Sequence, residues 1–421
     1  MTGRAMNIRK HHGAGGHGGF LILSALVTLA LILRSPLTAI APIVNDLRQG
    51  LAISAVTIGL LTSIPILCFG MLTPLASWLI GRAGIEASIF VTLAGAALGM
   101  IVRSSGGAGL ALFGTLILGA ALTIGNIVCL MVIARDFPQR TRMVTGIYTS
   151  ALNVGTMMTS AVTAPLAGLV GWRVALAAVT VLVIPGIALW IAASSRGVAT
   201  VPRHHAESGP PALRPAKTQA SEVPPPPVRR RPIAWLLVIA FSTHLFIYYG
   251  ITAWLPAYLI QADGMNASEA GLVASVFQIL ALLGSFGAPA LAGRAPLPWL
   301  LVVMAVCWII TPLGLLMAPH GWIIWSITGG IATGGGFTVV FMLIMNHAHD
   351  LQDNRRISAF VQGIGYSLSS VGPLVIGSLN QTFGGWTAGF LLLSATAVVM
   401  LGSGLCVTRI KTSRIAASNG S

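Results

Sequence analysis

Arg34 stands inside an apolar run from Phe20 to Val44, long enough to cross a bilayer, since about 20 apolar residues suffice. A guanidinium does not give up its proton in a protein, and holding one at mid-membrane costs roughly 2.5–3.5 kcal/mol on insertion scales. A side chain kept at that cost is expected to face a polar cavity and to hold an anionic or electron-rich small molecule. Other embedded polar groups could line the same cavity. His244 and Tyr248 are four residues apart and share one helical face. Gln362 and Tyr366 repeat the spacing beside Gly363 and Gly365, small residues that let helices approach closely. Asn126 is an embedded amide able to donate and accept. His244 is the one mid-span group that could titrate near neutral pH.

The acids are placed differently. Asp46, Glu86, Asp136, Asp263, Glu269, Asp350 and Asp353 flank apolar runs, and Glu207 and Glu222 lie between two blocks of runs. Proton-coupled carriers commonly use buried carboxylates, so a carboxylate relay is disfavoured. A coupled proton would have to use His244 or travel with a weak-acid solute. No HExxH, no GxSxG and no embedded His/Asp cluster is present, which argues against an enzyme, and no metal or other cofactor is expected. The cysteines Cys68, Cys129, Cys307 and Cys406 are scattered inside apolar runs and form neither a disulfide framework nor a metal spacing.

These residues need long helices to position them. The chain is 55% hydrophobic and 8% charged, against about 25% charged for a soluble domain, so it is an all-α membrane protein. Twelve spans are expected near 20–44, 55–80, 86–104, 109–134, 143–170, 173–195, 233–260, 268–292, 297–318, 321–346, 357–382 and 386–408. The net charge of +15 raises a nucleic-acid reading, but the placement of charge answers it. With both termini cytoplasmic, 20 of the 24 Lys and Arg fall in inside segments, as the positive-inside rule requires. The partners are then membrane lipid and a small-molecule solute, with no nucleic acid. Arginine outnumbers lysine 21 to 3, a composition that fits a GC-rich bacterial genome and hence an inner-membrane location.

Residues 1–19 read as a cytoplasmic tail, 20–195 as a six-helix bundle, 196–232 as a cytoplasmic linker, 233–408 as a second six-helix bundle and 409–421 as a second tail. The linker holds Pro202, Pro210, Pro211, Pro215 and Pro224–Pro227 and has no core-forming pattern. The halves echo each other. Gly59-Leu60, Ser63 and Gly81-Arg82 recur at one constant offset as Gly271-Leu272, Ser275 and Gly293-Arg294. Met131, Ala134, Asp136, Arg142 and Gly171-Trp172 recur as Met345, Ala348, Asp350, Arg356 and Gly385-Trp386. Two homologous halves imply a pseudo-two-fold axis along the membrane normal, with a site near mid-membrane between them. Arg82, Asp136, Arg142, Asp350 and Arg356 sit on matching loops, where ion pairs between the halves would favour an outward-facing state. Positive-inside anchoring accounts for those charges equally well.

The chain resembles the major facilitator superfamily, and within it the cyanate permease and 2-nitroimidazole permease family. The resemblance rests on Leu33-Arg34-Ser35-Pro36-Leu37, Ala41-Pro42, Gly59 to Pro65, Phe69-Gly70, Gly125-Asn126, Phe137-Pro138 and Thr145 to Tyr148 in the first half. In the second half it rests on Trp254-Leu255-Pro256, Ala270-Gly271, Gln362 to Tyr366, Gly372-Pro373 and Gly385-Trp386. Gly81 stands where the superfamily usually has an aspartate, and His244 where relatives often have glutamine. The resemblance implies two pseudo-symmetric six-helix bundles and a secondary transporter of a small anionic or heteroaromatic weak acid, working by alternating access with Arg34 on the substrate. A drug or metabolite exporter of the same fold and a non-transporting sensor are the competing readings.

Overall fold

A computed structural model of the chain describes residues 16–195 and 226–410, with the backbone alone for residues 16–18, 142, 195 and 351. Most of the expected tails and linker, including Lys10 and Lys217, lies outside the described residues. The described chain is almost wholly helical. The helices are α1 Gly16–Thr38, α2 Val44–Leu51, α3 Ala55–Met71, α4 Thr73–Ser105, α5 Ala108–Asp136, α6 Thr141–Val170, α7 Trp172–Ala177, α8 Val183–Ser195, α9 Pro232–Ala262, α10 Ala267–Ala292, α11 Leu297–Met317, α12 Trp322–His347, α13 Leu351–Ser369, α14 Val371–Phe383 and α15 Thr387–Arg409.

Among the described residues, ten helical stretches are long and apolar enough to cross a membrane. The remaining two spans are interrupted or polar versions of the same element. α3 is short and runs into α4 past Leu72. α4 turns back on itself at Gly84, whose φ of 84° and ψ of 168° are not helical. A side chain would be strained at that φ, so Gly84 divides the second span from the third. α6 carries Thr141, Thr145, Thr149, Ser150, Asn153, Thr156, Thr159, Ser160 and Thr163, which lower its apolarity while their hydroxyls bond back to their own helix. The twelve spans form two bundles, α1–α8 and α9–α15. α9 is apolar on every side and has 78% of its most apolar window buried, against 33% for the span containing α7 and α8; an evenly apolar helix belongs in the interior.

Helices α3, α13 and α14 form one seam between the bundles, and α6 and α10 form the other. The repeated glycines lie on these seams at equivalent places. A Cβ on Gly59 would meet the Leu374 Cα at 2.7 Å, and one on Gly271 would meet the Ser160 carbonyl oxygen at 2.5 Å. Both contacts are near the face opposite the linker ends Ser195 and Pro226. The bundles therefore close on each other at that face through bare backbone. The echo seen in sequence is a paired set of close approaches.

Arg103 stands in the last turn of α4. Arg103 is 2% exposed and donates from Nη1 to the Pro36 carbonyl at 3.1 Å. The last carbonyls of a helix lack internal partners, and a cation there also suits the helix dipole. Arg103 thus caps α1 one turn beyond Arg34.

Candidate functional site

Pro36 sits in the last turn of α1, which ends at Thr38 before the short turn Ala41–Ile43. The freed carbonyls are taken up by neighbours. Thr159 donates to Ser35 O at 3.0 Å, and Thr38 and Thr159 share a hydrogen bond of 2.8 Å. The Gly155 backbone packs against Leu31 O. These contacts from α6, with the Arg103 cap from α4, fix the rotation of α1 and aim Arg34 at the opposite bundle.

Arg34 lines a central cavity with Thr38, Thr62 and Thr156 from the first bundle and Tyr248, Tyr249, Thr252 and Pro373 from the second. It is the one charged side chain in that lining. The cavity measures about 20 Å³, on a scale where one water takes roughly 10–15 Å³. In this conformation it holds one or two waters, so a solute enters only when the bundles part.

The chain has five tyrosines, and four of them, Tyr148, Tyr248, Tyr249 and Tyr366, lie within electrostatic reach of the Arg34 guanidinium. Tyr366 is the one among them that comes from α13. Two polar atoms of this cradle are buried without a hydrogen-bond partner: Arg34 Nε and the Tyr249 hydroxyl. An unmet buried donor is costly, and both residues line the cavity. Tyr366 is held edge-on by Phe241 at 5.5 Å and by Phe69 at 5.8 Å, the latter contact crossing between bundles. Tyr248 donates to Gln278 at 3.3 Å, and Gln278 donates to Thr252 at 3.3 Å.

The expected site residues divide into three groups. Arg34, Tyr248 and Tyr366 converge on one place. Asn126 reaches it through a partner, accepting from the Tyr148 hydroxyl at 3.3 Å. Gln362 is half-buried one turn from Tyr366 toward the linker face and is not in the cavity lining. His244 is a correction. It is 1% exposed, lies inside the second bundle, and accepts at Nδ1 from Trp308 Nε1 at 3.0 Å. An indole N–H only donates, so Nδ1 carries no proton. The ring is wedged against Gly336, where a Cβ would meet Nδ1 at 2.6 Å. His244 is a core histidine, one turn along α9 from the cavity residue Tyr248.

Sequence reasoning missed Tyr148, which neighbours Arg34 without lining the cavity, and left Tyr249 outside the site. The available signal was the rarity of tyrosine together with the placement of all five on α6, α9 and α13.

At the linker face, the described ion pairs each stay within one bundle. Arg135 bridges Glu86 at 2.7 Å and Asp136 at 2.8 Å. Arg231 pairs with Asp353 at 2.8 Å. Asp350 caps α13 by accepting the Asp353 N–H at 2.7 Å, Arg356 is exposed, and Arg82 lies over the Trp78 ring at 5.5 Å. The Arg142 side chain lies outside the described residues.

Comparisons with known proteins agree with this architecture. The family model described as Major Facilitator Superfamily matches residues 23–370. An uncharacterized transporter, YycB of Bacillus subtilis, is 27% identical over 392 residues, covering 91% of this chain and 92% of its own. The 2-nitroimidazole transporter of Escherichia coli is 25% identical, covering 94% and 97%. The cyanate transport protein CynX of Escherichia coli is 27% identical, covering 87% and 91%. Among solved structures, a D-xylose-proton symporter superposes with a TM-score of 0.71 at 15% identity, covering 93% of this chain and 98% of that one. The chain belongs to the Major Facilitator Superfamily and is a multi-pass membrane transporter.

Proposed function

We propose that this secondary transporter moves a small anionic or heteroaromatic weak-acid solute, cyanate- or nitroimidazole-like, across the bacterial inner membrane, with Arg34 contacting the solute. The observation that carries the reading is the placement of Arg34. A fixed cation faces a cavity between the bundles, among four tyrosines and with no acid in the lining. Such a cradle donates hydrogen bonds and holds a positive charge, so it attracts a compact anion. The relatives named for 2-nitroimidazole and cyanate support the same chemistry.

Alternating access follows from the seams. Parting the glycine contacts at Gly59 and Gly271 would open the face that is now shut. Closing the linker face would bring Arg82, Asp136, Arg142, Asp350 and Arg356 toward one another, and pairs across the bundles would then hold the outward-facing state. The charge distribution supports a cytoplasmic linker face and cytoplasmic termini.

The test is a thermal-shift titration of the purified protein with cyanate and 2-nitroimidazole, followed by uptake of the labelled solutes into proteoliposomes. Arg34→Ala should remain folded and lose both stabilisation and uptake. Arg34→Lys should lose about tenfold or more, since the planar fork is gone and a hydrogen bond to a charged group contributes roughly 1.5–3 kcal/mol. Uptake by Arg34→Ala equal to that of the parent protein would remove Arg34 from the site.

A further inference from the structure

We infer that this transporter is an obligatory exchanger of small monoanions: an anion must be bound for the bundles to swap orientation in either direction. The inference rests on the reading of the Arg34 cavity as an anion site. It starts from an uncompensated charge. All nine acids lie at the ends of spans or between the two bundles. Those with described partners are engaged there: Glu86 and Asp136 with Arg135, Asp353 with Arg231, Asp263 with His320, and Glu269 with the Asn266 N–H. The groups facing Arg34 are tyrosine hydroxyls, which are neutral at ordinary pH. The empty cavity therefore carries one positive charge, and the cavity holding a monoanion carries none.

The swap between orientations passes through a closed state in which water is squeezed out. The about 20 Å³ that remains here leaves little solvation for a bare guanidinium. No described protein atom accepts from Arg34 Nε or the Tyr249 hydroxyl, both of them buried. An anion supplies an acceptor for both. Loading thus removes the net charge and satisfies the two orphaned donors in one event. A burial cost of the size known for a mid-membrane arginine would slow the empty swap by about a hundredfold. A proton cannot stand in for the anion, because it would add to the charge. A dianion would leave the closed state with one negative charge, so the counter-solute belongs to the monoanion class.

The full chain is reconstituted in liposomes in potassium sulfate, whose anion is a dianion, with valinomycin holding the membrane potential at zero. Uptake of labelled cyanate is compared between vesicles preloaded with unlabelled cyanate and vesicles holding sulfate alone. The expected result is uptake at least about tenfold faster into the preloaded vesicles, a conservative bound on the slowing argued above. Arg34→Gln, which carries no charge, should lose the difference between the two vesicle types. Equal, robust uptake into both types by the parent protein would overturn exchange while leaving the anion site standing. Uptake into neither, with no thermal stabilisation by cyanate, would overturn the site reading and the exchange together. Full preloading stimulation in Arg34→Gln would also overturn the inference, because the charge would then not be its cause.

Discussion

At the scale of single residues, the cradle around Arg34 makes opposite demands on folding and on binding. The Tyr249 hydroxyl is buried with no partner, so Tyr249→Phe should leave the empty protein as stable or raise its stability by about 1 kcal/mol, within the usual cost of an unmet buried polar group. The same change should weaken anion binding about threefold to tenfold, the worth of one hydrogen bond of about 1 kcal/mol. Thermal melts with and without cyanate read both effects. His244 should behave in the reverse way. His244→Ala leaves Trp308 Nε1 without its acceptor and opens space beside Gly336, so a loss of about 2–4 kcal/mol is expected from the stranded donor and the cavity. The pH profile of uptake should not move. A changed pH profile in a folded His244 variant would contradict the core assignment. From the sequence alone, His244 and Tyr248 share one helical face at i and i+4, and that spacing does not say which neighbour the face meets. Tyr248 reaches the cavity, whereas His244, one turn earlier, meets α11 and α12 because Gly336 leaves room for the ring.

At the scale of helices, the small residues on the seams set how closely the bundles meet. Gly59 on α3 and Gly271 on α10 each put bare backbone against the other bundle. Gly59→Leu or Gly271→Leu should prevent closure of that face without disrupting either bundle, because the contact lies between bundles and not within one. An impermeant thiol reagent applied outside whole cells should then label a cysteine placed at Thr62 faster than in the parent background. Unaltered labelling in both variants would show that the seam does not gate. The sequence displayed these glycines as a repeat, but a repeat does not reveal the contact that each copy makes. Arg103 shows the same limit. It follows a long apolar stretch and reads as an end-of-span arginine, while its partner, Pro36 O, lies on a different helix 67 positions away.

At the scale of the molecule, charge placement and the two closed seams describe one state of a two-state device. The opposite face is shut by glycine contacts, and the linker face has its ion pairs within bundles. If pairs across the bundles stabilise the other state, the double charge reversal Arg82→Glu with Arg356→Glu should shift the balance toward the present one. The seam-labelling rate at Thr62 should then fall in the whole-cell assay. A rate that stays constant would leave these arginines with anchoring alone. Membrane orientation is checked by reporter fusions at both termini, which should report the cytoplasmic side.

The sequence by itself determined that this chain lives in a membrane, that it has two matched halves, and that an arginine is embedded in its first span. Those features are carried by composition, by the period and length of apolar runs and by short repeated strings, all of which are local. Only the tertiary structure decided that four tyrosines from three helices gather on that arginine, that His244 turns away into the second bundle, and that the repeated glycines seal one face. The physical reason is rotational. An evenly apolar helix such as α9 gives no sign of which side meets which neighbour, so the facing of each polar group is fixed only when the helices pack.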